Sequence, residues 1–263
     1  MFRRRLKARM PMKDPFGNLL FVKRLIMILI GAVTYAGMNI FNRLEVEGAE
    51  HLKNLPEKNV LFVSNHQTYF ADVFAIFHIF SAVKWRLRNI NMPLYLLCPR
   101  VRSYYIAAAE TMLESGWLPR LFTYAGGITI KRNWRRAGQD IQGSADLSAP
   151  IKIKKALSFG WVITFPQGTT TPNAPVRKGT DNIIKSYRPI VVPVHIEGLR
   201  EAFDKKGLRI RKAGSRLRVR FLPPVQFDTD ATTADIQQFL EAHLLGAGQA
   251  GGAASKVDQT AHS

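Results

Sequence analysis

Cysteine is nearly absent: Cys98 stands alone in 263 residues, which excludes an intramolecular disulfide framework and any metal site built on paired thiolates. The histidines (His51, His66, His78, His195, His243, His262) show no His-x-x-x-His spacing that would set two ligands on one helix face, so no metal is implied. No Gly-x-Ser-x-Gly elbow occurs, which removes a serine hydrolase of the nucleophile-elbow type. Acid is scarce as well. Asp and Glu number 19 against 38 Lys and Arg, a formal charge of +19, and such a surplus calls for an anionic partner. Nucleic acid and anionic lipid both qualify. The basic residues are scattered from Arg3 to Arg220 and form no recognisable nucleic-acid module, so a membrane surface is favoured and no nucleic acid is expected. No internal repeat is visible.

What is present is enough apolar material for one sizeable core: 46% of 263 residues are hydrophobic, and the chain is short for two independent domains. A basic start (Arg3, Arg4, Arg5, Lys7, Arg9) and Lys23–Arg24 precede an uncharged run of 17 residues, Leu25 to Phe41. That length is marginal for crossing a bilayer. A secretory signal would need a small-x-small cleavage site with a clean polar mature start, and none follows. The basic start keeps the amino terminus cytoplasmic. A full crossing would then carry the rest of the chain outside, away from any cytosolic donor, and an interfacial or re-entrant helix avoids this. A buried core helix is the plainer alternative. The reading is a membrane-associating segment over residues 1–43, with the protein at the cytoplasmic face of the inner membrane.

The globular part is expected over residues 44–245. Leu44 to Gly48 reads as a short strand, and Val60 to Ser64 as a buried strand followed by a loop and a helix in which Phe70, Phe74 and Phe77 recur at helical spacing. An aromatic stripe of that kind is more often core than binding groove. Pro150 to Phe159 has a helical pattern, Trp161 to Phe165 and Ile190 to Ile196 read as buried strands, and the alternation in Leu217 to Leu222 points to an edge strand. Strands alternating with helices predict a single α/β domain, a mixed and mostly parallel sheet covered by helices, with its functional groups on loops at the carboxyl ends of the strands. The final stretch, residues 246–263, is small, polar and glycine-rich and is expected to be disordered.

Three segments carry candidate chemistry. His66 lies just after a buried strand within SNHQTYFAD, and Asp72 follows. Imidazole is the side chain whose unperturbed pKa suits general-base work near neutrality, and a carboxylate partner would fix its tautomer. Read alone, the pair also fits a structural histidine and a solvated helix residue. In GGITIKR the glycines allow close backbone approach and the strand delivers Lys131 and Arg132 into a loop, where cations suit a phosphate or carboxylate. In FPQGTTT, Gln167, Gly168, Thr169 and Thr170 offer an amide, hydroxyls and loop N–H groups to a polar head group. An ordinary turn is the bland alternative.

Taken in order, these blocks resemble the 1-acylglycerol-3-phosphate acyltransferase family of lysophospholipid acyltransferases, over roughly Val46 to Phe227. The resemblance implies that His66 and Asp72 are the catalytic pair, that Arg132 holds the acceptor's phosphate, and that Pro193 in IVVPVHIEG shapes the active-site wall. It implies no cofactor, only acyl-CoA or acyl carrier protein as co-substrate, and a lipid acceptor in the membrane. A direct transfer is then expected, with His66 taking the proton of the acceptor hydroxyl and the N–H groups near Gly168 and Thr169 receiving the oxyanion.

Two departures stand out. The family places four residues between His and Asp; this chain has five (Gln67, Thr68, Tyr69, Phe70, Ala71). On an ideal helix, six steps of about 100° put Asp72 about 240° round from His66, so contact requires a loop or bulge. In the third block Gln167 replaces the usual Glu and Thr170 the usual Arg, which removes a phosphate-gripping charge. Arg177 and Lys178 are the nearby substitutes in sequence. An acceptor with a carboxylate, such as an N-acyl amino acid lipid, is the other way to read the change.

Overall fold

The strand Val60–Ser64 is apolar on both of its faces, and a strand with that composition is stable only with a partner on each side and a helical layer above and below. The computed structural model, which describes residues 12–87, 90–113, 117–131 and 148–245, shows this arrangement. In chain order the elements are α1 (Leu20–Tyr35), continued by a π turn (Ala36–Ile40), β1 (Arg43–Glu47), β2 (Val60–Ser64), α2 (Ala71–Lys84), β3 (Ser103–Ala108), α3 (Ala109–Leu113), α4 (Trp117–Gly126), β4 (Gly127–Ile130), α5 (Ser148–Leu157), β5 (Trp161–Thr164), α6 (Thr180–Tyr187), β6 (Ile190–Glu197), α7 (Leu199–Ala202), β7 (Arg216–Phe221) and α8 (Thr233–Leu245). The strands form one seven-stranded sheet in the order β1-β7-β6-β2-β5-β3-β4. Neighbours are parallel throughout except β6 and β7. A single mixed, mostly parallel sheet covered by helices is therefore what this sequence forms.

Alternation along the central strands feeds two cores. Val60 and Phe62 of β2 and Trp161 and Ile163 of β5 enter the core beneath α1, α2 and α4. Leu61 and Val63, with Val162 of β5 opposite Leu61, enter the core beneath α5, α6 and α8. Phe62, Trp161 and Phe80 pack in tilted and edge-on pairs with centroids 4.4 to 5.2 Å apart. Burying each such side chain contributes roughly 1.5–3 kcal/mol. The Phe70, Phe74, Phe77 and Phe80 series is core, since all four are buried.

The strand β7 is not at an edge. β1 pairs along its outer side, Arg43 opposite Arg216 through Glu47 opposite Arg220. Its alternation reflects one solvated face. Leu217, Val219 and Phe221 are buried, while Arg218 and Arg220 point the other way onto the carboxylates of Glu47 and Glu197.

The helical run Leu20–Ile40 is long and apolar enough to cross a membrane, and it has two unlike faces. Lys23, Met27 and Gly31 are buried against the domain. A Cβ on Gly31 would meet the Leu96 side chain at 2.5 Å. Lys23 Nζ donates to the Ser103 carbonyl at 3.3 Å and lies 3.8 Å from the centre of the Tyr104 ring. On the opposite face Phe21, Leu25, Leu29 and Val33 form an exposed stripe, with Phe21 77% and Val33 78% accessible. Exposed Ile40, Phe41, Met92, Leu94 and Leu97 add to the apolar surface. An apolar face of this kind supports membrane association. The expected disordered tail, residues 246–263, lies outside the described residues.

Candidate active site

Because β6, β2, β5, β3 and β4 run parallel, their carboxyl ends open on one edge of the sheet, and the loops that leave them meet there. A cleft of about 900 Å³ lies at that edge. It is lined by His66 through Phe70 from β2, by Phe165 and Gly168 through Thr171 from β5, and by Arg200 after β6. Its other wall is apolar, with Ile106 and Ala108 of β3, Met112, Ile130 and Ile153.

Asn65 fixes the point at which the first loop leaves β2. Its side-chain amide donates to the Ile196 carbonyl at 2.8 Å and its oxygen accepts the Ile196 N–H at 2.7 Å, so the side chain adds a rung between β2 and β6. His66 follows. Its Nδ1 lies 2.7 Å from Asp72 Oδ2, with the histidine side chain 12% exposed and the aspartate fully buried. Since Asp72 can only accept here, the contact assigns the proton to Nδ1 and leaves Nε2 as the acceptor. The imidazole stacks on Phe165, centroids 4.1 Å apart and planes at 21°, which sets the ring's plane from the opposite side.

The extra residue between His66 and Asp72 is absorbed by a loop that never becomes helical before Ala71. Asp72 stands in the first turn of α2, where the helix end favours a carboxylate. It gathers the loop about itself, accepting from the N–H groups of Gln67 at 2.7 Å and Thr68 at 3.2 Å and from the Thr68 hydroxyl at 3.0 Å. A turn after α7 braces the remainder: the Tyr69 and Phe70 N–H groups donate to the carbonyls of Lys205 and Lys206 at 3.1 and 3.0 Å. Gly207, with φ +76°, lets this turn come close, since a Cβ there would meet the Ala71 nitrogen at 2.5 Å.

The other expected site residues are placed as follows. Gly168, Thr169, Thr170 and Arg177 line the cleft. Gln167 does not; it is buried, 4% exposed, and braces its own loop by donating to the Ala174 carbonyl at 2.9 Å. Its backbone carbonyl accepts Arg177 Nε at 2.9 Å. The Gly168 N–H is committed to the Phe165 carbonyl at 2.9 Å, so it does not face a reacting group. The Thr169 N–H makes no bond among the described residues. Lys131 follows β4 and is not part of the cleft wall. Arg132 lies outside the described residues.

Arg200 belongs to none of the sequence blocks, yet it joins the site. Its Nη2 donates to the Thr170 carbonyl at 2.6 Å and reaches the His66 carbonyl at 3.4 Å, and its backbone N–H donates to Gln67 Oε1 at 3.1 Å. The arginine sits just past the fourth block, and the only signal for it is its position next to a strand end. Among the described residues no cluster of His, Cys, Asp or Glu fits a metal ion.

The fold and the site together are those of an α/β protein whose cleft, with one polar and one apolar wall, has a carboxylate-paired imidazole at its mouth and suits an amphiphilic ligand. The chain belongs to the Acyltransferase family, whose model matches residues 43–197, more than half of its length. The crystal structure of the 1-acyl-sn-glycerophosphate (LPA) acyltransferase PlsC from Thermotoga maritima is similar, with a TM-score of 0.56 and 20% identity over 90% of this chain and 83% of that one. At that identity the likeness is one of fold. No curated protein sequence matches.

Proposed function

We propose that this acyltransferase moves a fatty acyl group from acyl-CoA or acyl carrier protein to the hydroxyl of a lysophospholipid such as 1-acylglycerol-3-phosphate, with His66 as general base. The observation that carries the reading is the 2.7 Å contact between His66 Nδ1 and Asp72 Oδ2 at the edge of the cleft. His66 Nε2 takes the proton of the acceptor hydroxyl as that oxygen attacks the thioester carbonyl. Asp72 orients the ring and stabilises the imidazolium. The Thr169 N–H is the donor left to receive the oxyanion. When the tetrahedral intermediate collapses the C–S bond breaks, the thiolate leaves, and the proton on Nε2 passes to it, so no covalent acyl-enzyme is needed.

The same reading places the protein on the cytoplasmic face of the inner membrane. The stripe of Phe21, Leu25, Leu29 and Val33 enters the lipid, while the opposite face of α1 stays on the domain. A helix with one face committed to protein lies along the interface. This keeps the cleft on the side of a cytosolic thioester donor. The surplus of basic residues, a formal charge of +19, favours an anionic lipid surface.

The test is label transfer by purified protein in mixed micelles, from acyl-CoA and from acyl carrier protein, to lysophosphatidic acid and to an N-acyl amino acid lipid. Transfer is expected with the first acceptor, and His66→Ala is expected to lose roughly 10²–10⁴-fold with its unfolding temperature retained. Folded wild-type protein that transfers to no acceptor from either donor would refute the reading.

A further inference from the structure

The cleft has a cationic wall that none of the resembling blocks supplies. Arg200, Lys205 and Arg211 all line it, and all three come from the segment between β6 and β7. Arg200 is half-buried and is fixed at both ends, by its N–H on Gln67 and by Nη2 on the Thr170 and His66 carbonyls. The hydrogens on Nε and Nη1 make no bond among the described residues. Asp204, the acid on the same wall, is turned onto its own turn and accepts from the Leu208 and Arg209 N–H groups at 2.8 and 3.1 Å. Lys205 Nζ stands 5.9 Å from the centre of the Tyr69 ring, and Arg211 is exposed.

Thr170 is the position at which the third block departs from the family pattern by lacking an arginine. The guanidinium that touches the Thr170 carbonyl belongs to Arg200, so a cation missing from one loop is supplied beside that loop by another element. It also touches the main chain of His66. In a lysolipid the acceptor hydroxyl is a few covalent bonds from the charged group, which suits a cation that lies against the main chain of His66 in the same cleft.

We propose that Arg200, backed by Lys205 and Arg211, is the seat of the acceptor's anionic head group, a phosphate monoester or a carboxylate. The proposal rests on the acyl-transfer reading and adds to it the residue that selects the acceptor. Charge-assisted hydrogen bonds to an oxyanion are about twice as strong as neutral ones. A guanidinium already held on one nitrogen loses little freedom when it takes the anion on the others.

The full chain carrying Arg200→Met or Arg200→Lys is assayed in mixed micelles with three acceptors: lysophosphatidic acid, an N-acyl amino acid lipid and the neutral monoacylglycerol. Equilibrium binding of lysophosphatidic acid is measured separately, without donor. Arg200→Met is expected to raise KM for an anionic acceptor roughly ten- to hundredfold, with far less effect on kcat, on the donor's KM and on monoacylglycerol. Arg200→Lys recovers part of the loss. Whichever anionic acceptor suffers more identifies the head group. Equal losses on the neutral and anionic acceptors would overturn the proposal, because Arg200 would then serve only to hold His66. Unchanged KM and unchanged binding would overturn it as well. If wild-type protein transfers to nothing, the acyl-transfer reading fails by itself, and the binding measurement still decides whether Arg200 holds the anion.

Discussion

His66 and His78 show how one side chain takes opposite roles in different surroundings. His66 stands at the cleft with a carboxylate on Nδ1. His78 is fully buried in α2, with Nδ1 3.0 Å from the Tyr95 hydroxyl and Nε2 2.9 Å from that of Thr34, and burial holds its pKa down to about 3. It ties α1, α2 and the turn at Tyr95 together as a neutral group. The consequence for pH follows from linkage. The unfolded chain protonates this histidine near 6.5 and the folded chain near 3, so between those values the unfolded state binds more protons. Stability is complete above about pH 6.5 and falls as the pH drops, by up to about 1.4 kcal/mol per unit. His78→Gln is expected to flatten the acid limb of stability between pH 6.5 and 4, measured by urea unfolding at several pH values, and to be less stable than wild type at pH 7. Asp72→Asn probes the other histidine. It keeps an oxygen for the Thr68 donors at Oδ1 but presents an NH2 group at the Oδ2 position, which serves both His66 Nδ1 and the Gln67 N–H. Its expected signature is a loss of kcat of about 10²-fold or more with little change in acceptor KM.

The elements that meet at the cleft differ in how far they can be read from sequence. β2, β5 and β6 announce themselves because a continuous apolar run needs a partner on both sides, and their loops carry the resembling blocks. The His66–Asp72 contact is harder. Helical spacing alone argues against it, and what permits it is a turn from a distant part of the chain: the Lys205 and Lys206 carbonyls and the bare Cα of Gly207 hold the loop open until Ala71. No local pattern encodes that support. Arg200 escapes notice for the same reason, since its partners at Thr170 and His66 are fixed only by folding. The edge assignment for β7 fails because a strand with one solvated face alternates whether or not another strand covers it. Gly207→Ala tests the brace. A Cβ would meet the Ala71 nitrogen at 2.5 Å at a φ of +76°, and the left-handed conformation alone costs a non-glycine residue about 1–2 kcal/mol. The variant is expected to unfold at lower urea and to lose transfer activity out of proportion to that shift, assayed at a temperature where it remains folded.

At the scale of the whole molecule, α1 packs one face on the domain and presents an apolar face suited to a membrane on the other. Met27 and Met38 are part of the main core, whereas Leu29 and Val33 are exposed. The double variant Leu29→Asp/Val33→Asp is therefore expected to leave thermal stability nearly unchanged while releasing the protein from vesicles. Each lost apolar contact contributes about 1.5–3 kcal/mol. Co-sedimentation with vesicles containing anionic lipid measures this, and the residual binding of the double variant should be the more sensitive to salt, because screening acts on the charges and not on the apolar stripe.

On the interfacial placement proposed above, the exposed stripe on α1 also changes what concentration means for this enzyme. A protein resting on lipid meets a lipid acceptor by lateral diffusion, so with the proposed lysolipid the rate answers to its mole fraction in the surface and not to its amount per litre. Diluting the acceptor with inert lipid at constant bulk concentration should slow transfer, and adding more vesicles of unchanged composition should not hasten it once all the protein is bound. On that placement the helix turns the local make-up of the membrane into the variable that governs turnover.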